Sequence, residues 1–421
     1  LQVCPKGAGL SFGDVALLSN KIILDISGLN RILSFDADSG TIRVQSGIHT
    51  VEILKYLVPY GRSLTGLTGS KGNTVAGNIS NDVNGKDAWK YGSFCNNVLS
   101  MKVMTADLQV LEVSREVEPE LFNAICGGLG LIAIVLEVTL RSVEVSSFNV
   151  RIKSQKSSDL LSTIALLENA AENADFAYCW ADTSAHGKKS GRSLCESATY
   201  LSEVDSDKTE VIQNGFEMKR PFGVFGPRTF WWGMRTFYSN KAHQGVSRIK
   251  YLLAPDRSSK QVAYTTFQYP MLRWFSDWNL FFYPHGFREA QLLFSPQNFH
   301  SAYSEILEFC HSKGISPWIC GIKKHRAESG LLTFGGDGYS FTLNYSLKGR
   351  SLSEIEFLES SIIGLTIRHY GKCYLGKFPF ANSSDVGAMY PQFSEYTAIK
   401  TKRDPERLLW SNAAERLIQS L

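Results

Sequence analysis

Several features that would assign this chain of 421 residues to a particular class are absent. Its longest apolar stretch, residues 130–140, is short and contains Glu137, so we expect no transmembrane segment. No charged segment followed by an apolar run opens the chain, so no signal peptide is predicted. Lys and Arg number 44 against 40 Asp and Glu, and this net charge of +4 is too small to indicate a nucleic acid as partner.

Motifs for metal and hydrolytic chemistry are also missing. The 8 histidines show neither H-x-x-x-H nor H-E-x-x-H spacing, so no metal site is predicted. No G-x-S-x-G elbow is present, which argues against a serine hydrolase. The 8 cysteines are scattered and contain no C-x-x-C pair. We therefore expect reduced thiols, most of them in the core, in a cytoplasmic protein.

Two nucleotide-binding motifs are only approximated. Residues 371–378 have the Walker A spacing but lack the Ser or Thr that would hold Mg²⁺, so a P-loop is not supported. Residues 128–133 fit G-x-G-x-x-A, yet a predicted helix precedes them and a predicted strand comes after them. A Rossmann fingerprint requires the opposite order, so that interpretation fails.

The hydrophobic fraction of 43% and the chain length predict two or three folding units with a large core. Apolar periodicity predicts strands and helices that do not form a strict βαβ repeat, which favours an α+β fold. The predicted strands are 21–27, 41–46, a pair within 97–114, 131–143, 148–153, 175–182, 288–294, 318–324 and 339–345. The predicted helices are 49–60, 118–126, 158–173, 296–312, 352–369 and a tail helix over 404–421.

Two glycine-rich segments, residues 6–14 and 68–74, indicate an anion site. Successive backbone N–H groups in such loops form nests that hold phosphate, and glycine lets the backbone approach a ligand closely. A pyrophosphate linking two nucleotides would need donors from more than one loop. The pair therefore carries more weight than either segment alone.

Together with several segments later in the chain, these two loops resemble a known pattern. The chain is similar to the FAD-binding oxidoreductases of the vanillyl-alcohol oxidase / p-cresol methylhydroxylase superfamily and, within it, to the decaprenylphosphoryl-ribose 2-oxidase group. The segments that carry the resemblance are 7–14, 23–47, 68–87, 91–108, 120–135, 373–378, 388–396 and 403–417.

The resemblance implies a fold of three segments. Residues 1–146 would form a two-subdomain FAD-binding domain of the p-cresol methylhydroxylase type. Residues 147–370 would form an inserted substrate domain built on an antiparallel sheet. Residues 371–421 would return to the FAD-binding domain.

By position, the resemblance also implies a set of FAD-binding residues. They are Lys6, Gly7, Ala8, Gly9, Leu10, Ser11, Phe12, Gly13, Gly69, Ser70, Thr74, Val75, Gly77, Asn81, Asn84, Ile134 and Tyr374. Members that bind FAD covalently often carry His where this chain has Leu10, and close relatives carry His where it has Asn84. Because neither residue supplies an imidazole, we expect non-covalent FAD. Phe12 stands where the relatives have Tyr, so it cannot act as a base.

The resemblance implies the substrate side in the same way. Matching substrate-binding positions are Trp180, Gln291, Lys323, Ser340, Thr342 and Asn344, with Lys377 and Tyr374 as catalytic candidates. Relatives carry Asn, Cys and Asp where this chain has Ser340, Thr342 and Asn344, which points to a different sugar. Lys377 would stabilise negative charge on the reduced flavin or activate the substrate hydroxyl. Tyr374 would lie against the ring or assist proton removal, and a lysine, a tyrosine or an ordered water remains open as the base.

The implied reaction oxidises a secondary hydroxyl of a sugar or prenyl-phosphoryl pentose to a ketone, the first half of an epimerisation. One alternative is an alditol or sugar-lactone oxidase that uses O₂. Another is a flavin- or carbohydrate-binding protein without turnover. The implied partners are a sugar or glycosyl-phosphate substrate, with a lipid carrier as an option, and a separate NAD(P)-dependent ketone reductase. The implied location is cytoplasmic, with peripheral attachment to a membrane as a further option.

Overall fold

Strands from two stretches of the chain organise the computed structural model, which describes residues 1–202, 227–235, 240–269, 278–318 and 320–418. The strands of the first stretch are β1 (Val3–Lys6), β2 (Ile22–Asp25), β3 (Ile32–Asp36), β4 (Thr41–Gln45), β5 (Arg62–Ser63), β6 (Val98–Met104), β7 (Val110–Ser114), β8 (Ile134–Arg141) and β9 (Val143–Glu144). Those of the second are β10 (Asn149–Lys156), β11 (Phe176–Ala181), β12 (Ser193–Tyr200), β13 (Arg257–Ala263), β14 (Phe287–Phe294), β15 (Gly321–His325), β16 (Gly338–Ser346) and β17 (Lys372–Cys373).

The helices cover and connect these strands. They are α1 (Thr50–Leu57), α2 (Val75–Ser80), α3 (Ala88–Tyr91), α4 (Pro119–Ile125), α5 (Leu160–Asn173), α6 (Pro227–Met234), α7 (Asn240–Leu253), α8 (Tyr264–Gln268), α9 (Pro296–Ser312), α10 (Leu352–Arg368), α11 (Ser383–Met389), α12 (Phe393–Arg403) and α13 (Asn412–Ile418). Short 3₁₀ turns add Val58–Tyr60, Phe94–Asn97, Gly187–Lys189 and Trp278–Phe282.

Each stretch builds its own sheet. The first gives a five-stranded antiparallel sheet in the order β3-β4-β8-β6-β7, and β1 pairs with β2 in parallel. The second gives an eight-stranded antiparallel sheet in the order β13-β10-β12-β11-β15-β16-β14-β17. Such pairing needs no helical crossovers, as expected for an α+β fold. The predicted mixture of helices with antiparallel sheet is therefore confirmed.

The alternation of apolar residues determines which face of each strand is buried. In β4, Ile42 and Val44 are fully buried while their neighbours face outwards, which is the two-residue period of a half-buried strand. Helix ends depend on their local sequence in the same way. Ser351 and Glu354 form a reciprocal capping box that starts α10 at the predicted position.

The tail differs from its prediction. A helix over 404–421 is wrong for residues 404–411, because helix α13 begins at Asn412. Asp404 accepts hydrogen bonds from the backbone N–H groups of Leu408 and Leu409, and Leu409 bridges Val3 in parallel. A side chain that satisfies nearby N–H groups competes with the helical ladder, so the chain turns back to the N-terminal strand.

The cysteine prediction is also corrected. Cys179 and Cys195 lie opposite each other on neighbouring strands β11 and β12 and are joined as a disulfide. The expectation of reduced thiols is wrong for this pair, and the expected cytoplasmic location loses that support. The other six cysteines are free and buried. In the described part of the chain, every helix is too short or too polar to cross a bilayer.

Candidate active site

The two glycine-rich loops converge in space. A Cβ built on Gly7 would lie 2.2 Å from Oγ1 of Thr74, and one built on Gly72 would lie 2.9 Å from Cδ1 of Leu10. Strand β1 leads directly into the first loop, and the ring nitrogen Nδ1 of His49 holds the second through the carbonyl of Gly72 at 2.7 Å. Contacts this close tolerate only hydrogen at position 7, so glycine is required there by packing.

A third segment, residues 374–379, joins the same place. A Cβ on Gly376 would lie 2.5 Å from Oδ1 of Asn81, and one on Gly13 would lie 3.8 Å from the carbonyl carbon of Lys377. The hydroxyl of Tyr374 donates to the carbonyl of Asn81 at 2.7 Å. Lys377 therefore extends from the point where all three segments meet.

Helix α2 directly follows the second glycine-rich loop, at a place where the sequence predicted no helix, and several buried polar atoms beside it lack partners among the described residues. Thr74 caps the helix by accepting a hydrogen bond from the N–H of Gly77 at 3.2 Å. Three buried side-chain atoms beside it have no hydrogen-bond partner among the described residues: Oδ1 of Asn73, Nδ2 of Asn78 and Oδ1 of Asn81. Buried amides are normally satisfied, so these atoms fit a polar ligand that lies along the three segments. Donors, acceptors and close backbone approach together suit FAD.

The predicted FAD-binding residues occupy these elements. Lys6, Gly7, Ala8, Gly9, Leu10, Ser11, Phe12 and Gly13 lie at and after the end of β1; Gly69 and Ser70 lie on the second loop; Thr74, Val75, Gly77 and Asn81 start, form and end α2; Asn84 comes after it; Tyr374 lies on the third segment. Ile134 is set apart from the loops, at the buried start of β8. Its contact with the cofactor stays a prediction.

Polar side chains line the neighbouring face of strands β14 and β16. The register pairs Glu289 with Asn344 and Gln291 with Thr342. Gln291 is buried, and its Nε2 lies 3.3 Å from Oγ of Ser340. Because side chains two residues apart share a face, this polar strip runs along both strands.

Asn84 connects the strip to the cofactor loops. Its Oδ1 accepts hydrogen bonds from Nζ of Lys323 at 2.5 Å and from Nε2 of Gln291 at 3.3 Å. Burial, together with the nearby charge of Lys377, lowers the pKa of Lys323 to about 7. Asn84, at the position where the resemblance implies a histidine, thus joins two predicted substrate residues.

Lys377 pairs with a carboxylate that the sequence reasoning missed. Its Nζ lies 2.6 Å from Oε1 of Glu289, and Oε2 of Glu289 lies 3.5 Å from Nδ2 of Asn344. The sequence did contain a sign of Glu289: it is a charged residue inside a mostly apolar strand. It stands two positions before Gln291 and therefore lies on the same face of the strand.

Tyr374 does not suit the role of base. Its hydroxyl hydrogen is committed to the carbonyl of Asn81, and burial raises the pKa of the phenol well above its usual range. Phe334 packs against its ring at a centroid distance of 5.2 Å. The tyrosine therefore fixes the third segment against α2.

Two more residues that the sequence did not reveal link helix α8 to the cofactor segments: Gln268 on the helix, and Lys86, which contacts the helix from outside it. Nε2 of Gln268 donates to the carbonyls of Leu67 and Thr68 at 2.8 and 3.0 Å. Lys86 donates to the carbonyl of Phe267, and burial lowers the pKa of Lys86 to about 7. A segment joined to the large sheet thus holds the second glycine-rich loop in place.

Trp180 lies elsewhere on the same sheet. It pairs in register with Gly321 on β15, two residues from Lys323, and Nζ of Lys250 lies 3.8 Å from its ring centroid. Beyond Asn344, strand β16 leads to Ser346 and a cavity of about 340 Å³. Lining residues of this cavity are Arg235, Phe281, Phe282, Tyr283, Pro284, His285, Ser346 and Lys348.

The described lining residues are mainly cationic and aromatic, and none of them carries a carboxylate. The predicted absence of a metal site stays a prediction. In the described ranges, no three His, Cys, Asp or Glu side chains gather as metal ligands would.

Comparisons with known proteins agree with this geometry. Residues 1–114 match the family model described as an FAD binding domain. The chain is 24% identical to the decaprenylphosphoryl-beta-D-ribose oxidase of Mycolicibacterium smegmatis over 420 residues, which cover 99% of this chain and 89% of that protein.

Two further relatives match about a third of the chain each. The mitochondrial L-galactono-1,4-lactone dehydrogenase 2 of Oryza sativa subsp. japonica is 34% identical over 140 residues, 33% of this chain and 24% of that protein. The L-gulonolactone oxidase of Bos taurus is 27% identical over 137 residues, 32% of this chain and 31% of that protein. These matches confirm the predicted resemblance, the FAD cofactor and the class of FAD-dependent oxidoreductases.

Proposed function

We propose that this protein oxidises a secondary hydroxyl of a sugar, or of a prenyl-phosphoryl pentose, to a ketone as the first half of an epimerisation. The observation that carries the proposal is the junction at Asn84. There, Lys323 of β15 and Gln291 of the polar strip both bind Asn84, which comes after the cofactor helix α2. FAD, when bound, supplies the two-electron acceptance that oxidation of an alcohol requires.

The three converging segments would hold FAD without a covalent bond. Leu10 is 48% exposed and carries no nucleophile, and the side chain of Asn84 is occupied by Lys323 and Gln291. The amides of Asn73, Asn78 and Asn81 would complete their hydrogen bonding on the cofactor. We also propose the domain arrangement that the resemblance implies. Residues 1–146 and 371–421 would form the two-subdomain FAD-binding domain, and residues 147–370 would form the substrate domain.

The polar strip would bind and orient the sugar. Lys323 and Gln291 present N–H donors to substrate hydroxyls, while Lys377 lies where the strip meets the third cofactor segment. Fixing the carbinol carbon in a reactive orientation lowers the entropic part of the barrier. Thr342 and Ser340 contribute hydroxyls rather than the Cys and Asn of the relatives, which would adapt the strip to a different sugar.

The cavity at the end of β16 would accept the substrate's phosphoryl group. Ser346 is two residues beyond Asn344, so the cavity begins about 7 Å from the ion pair of Lys377 along the strand. Arg235, His285 and Lys348 suit an anion, and the aromatic walls suit an apolar tail.

Helix α7 supports peripheral attachment to a membrane. Its outward face exposes Val246, Ile249, Leu252 and Leu253, and the helix contains no acidic residue. Apolar side chains flanked by Lys and Arg are typical of helices that lie in the plane of an anionic bilayer surface. A separate ketone reductase also belongs to the proposal, because the ketone product of an epimerisation must be reduced again.

The visible spectrum of the purified protein tests the cofactor, and anaerobic bleaching tests the reaction. We expect a yellow protein that sugar phosphates bleach without peroxide release. Gly7→Ala, which places a methyl against Thr74, should weaken FAD binding at least tenfold, whereas Gly28→Ala has open space and should not. A colourless protein, or a yellow one that no sugar bleaches, would refute the proposed oxidation.

An oxidase of alditols or sugar lactones is the second candidate. It is favoured by the similarity to lactone dehydrogenases and by the changed side chains at positions 340, 342 and 344. Release of hydrogen peroxide with free polyols or lactones in air would select it over the epimerase-type oxidase.

A further inference from the structure

Glu289 is a buried carboxylate at the centre of the proposed site, and the roles assigned above leave it unused. Its side chain is 9% exposed, against 26% for its ion-pair partner Lys377. An ion pair this close and this shielded is stronger than a surface pair and restricts where the ammonium can lie.

The facing strand reaches the same point. Glu289 and Asn344 are direct register partners on β14 and β16, and the amide of Asn344 lies 3.5 Å from Oε2 of Glu289. Directly opposed side chains in an antiparallel pair have Cβ atoms about 5 Å apart. A carboxylate at position 344 would therefore enter the space that the Glu289 carboxylate now fills.

We propose that Glu289 is a positioning residue that holds Lys377 and neutralises its charge, and that a carboxylate at position 344 can replace it. This inference rests on the proposed function, because it names the residue that would control the net charge beside the flavin ring. The pKa of Lys323 depends on both charges: the charge of Glu289 raises it, whereas the charge of Lys377 lowers it.

The charge balance has a measurable consequence. Two-electron reduction leaves negative charge on the flavin ring, and an unpaired cation nearby favours that state. In Glu289→Gln, Lys377 loses its counter-charge, so reduced FAD should be bound at least tenfold more tightly relative to oxidised FAD. For a two-electron couple this corresponds to a rise of about 30 mV in midpoint potential.

The test measures the midpoint potential of the FAD-loaded protein by anaerobic equilibration with redox dyes. We expect the potential to rise in Glu289→Gln and to return towards the wild-type value in the double variant Glu289→Gln/Asn344→Asp. Glu168→Gln is the matched control, because Glu168 also pairs with a lysine of this sheet, Lys324, away from the polar strip. Its potential should not move.

Sugar oxidation gives the second readout. Turnover should fall in Glu289→Gln and recover at least tenfold in the double variant. An unchanged potential in Glu289→Gln, or a double variant that restores neither potential nor turnover, overturns the proposal. If Glu289→Gln does not retain FAD, Glu289→Ala, which also removes the counter-charge of Lys377, replaces it, and an unchanged potential and turnover in that variant would refute the role. The midpoint potential can be measured without substrate, so the two proposals can fail separately. If the potential shifts but no sugar bleaches the flavin, the role of Glu289 is supported and only the proposed reaction is refuted.

Discussion

Two lysines of this protein form short ion pairs in very different surroundings. Lys400, on α12, is 2% exposed and donates to the carbonyls of Leu131 and Leu409, both at 2.7 Å, and to Asp404. Its three N–H groups are thus fully used. Among the described residues, the ammonium group of Lys377 forms an ion pair with Glu289 and with no other carboxylate. A complete set of partners indicates a structural role, whereas unused donors beside a polar strip indicate a role in binding.

The largest effect should come from breaking the structural pair. Lys400→Met leaves Asp404 buried without its counter-charge, and removal of one partner from a buried ion pair costs about 3–5 kcal/mol. We expect that loss in the free energy of unfolding, measured by urea denaturation of the FAD-loaded protein. Lys402→Met, on an exposed face of the same helix, should change it by less than about 0.5 kcal/mol. Equal values for the two variants would contradict the structural role.

Removing the site lysine should give the opposite pattern. Lys377→Ala should retain FAD and lose less stability than Lys400→Met, because Lys377 is partly exposed. Its turnover should fall about 10²–10³-fold, which is the usual effect of removing a group that stabilises charge in the transition state. The measurement is the rate of anaerobic flavin reduction by substrate. Exposed Lys21→Ala is the control. Unchanged turnover in Lys377→Ala would contradict a role for Lys377 in the reaction.

A smaller effect on kcat/KM should depend on pH, through the charge state of Lys323. Because burial lowers the pKa of Lys323 to about 7, this side chain is an ammonium below that pH and neutral above it. If the ammonium binds the substrate, kcat/KM should fall about tenfold per pH unit above about pH 7. Lys323→Arg, which stays charged, should flatten the profile, whereas Lys324→Arg should leave it unchanged. A wild-type profile that is flat from pH 6 to 9 would exclude this role.

Local sequence determined much of the fold. The helix predicted over 296–312 is present with those limits, because Pro296 suits a first helical turn and the apolar spacing is regular. The tail could not be predicted in the same way. Its course depends on Asp404 accepting hydrogen bonds from the N–H groups of Leu408 and Leu409, and on pairing between Leu409 and Val3, which are far apart in sequence.

The candidate site shows the same limit. Glycine-rich segments signalled the cofactor loops, and the resemblance supplied Lys377, Lys323 and Gln291. Their junction at Asn84 and the partnership with Glu289 depend on the register between β14 and β16, which no single strand encodes. Residues 184–260 are the least regular part of the sequence, and 203–226 among them lie outside the described residues.

The hold of Gln268 on the start of the second glycine-rich loop has a mechanical consequence. One amide nitrogen of a side chain on α8 binds the backbone carbonyls of Leu67 and Thr68, and Phe267 of the same helix accepts a hydrogen bond from Lys86. Rotation of the Gln268 side chain would therefore release both carbonyls at once. Because α8 packs against β10 and β13, any displacement of this loop is coupled to the edge of the large sheet.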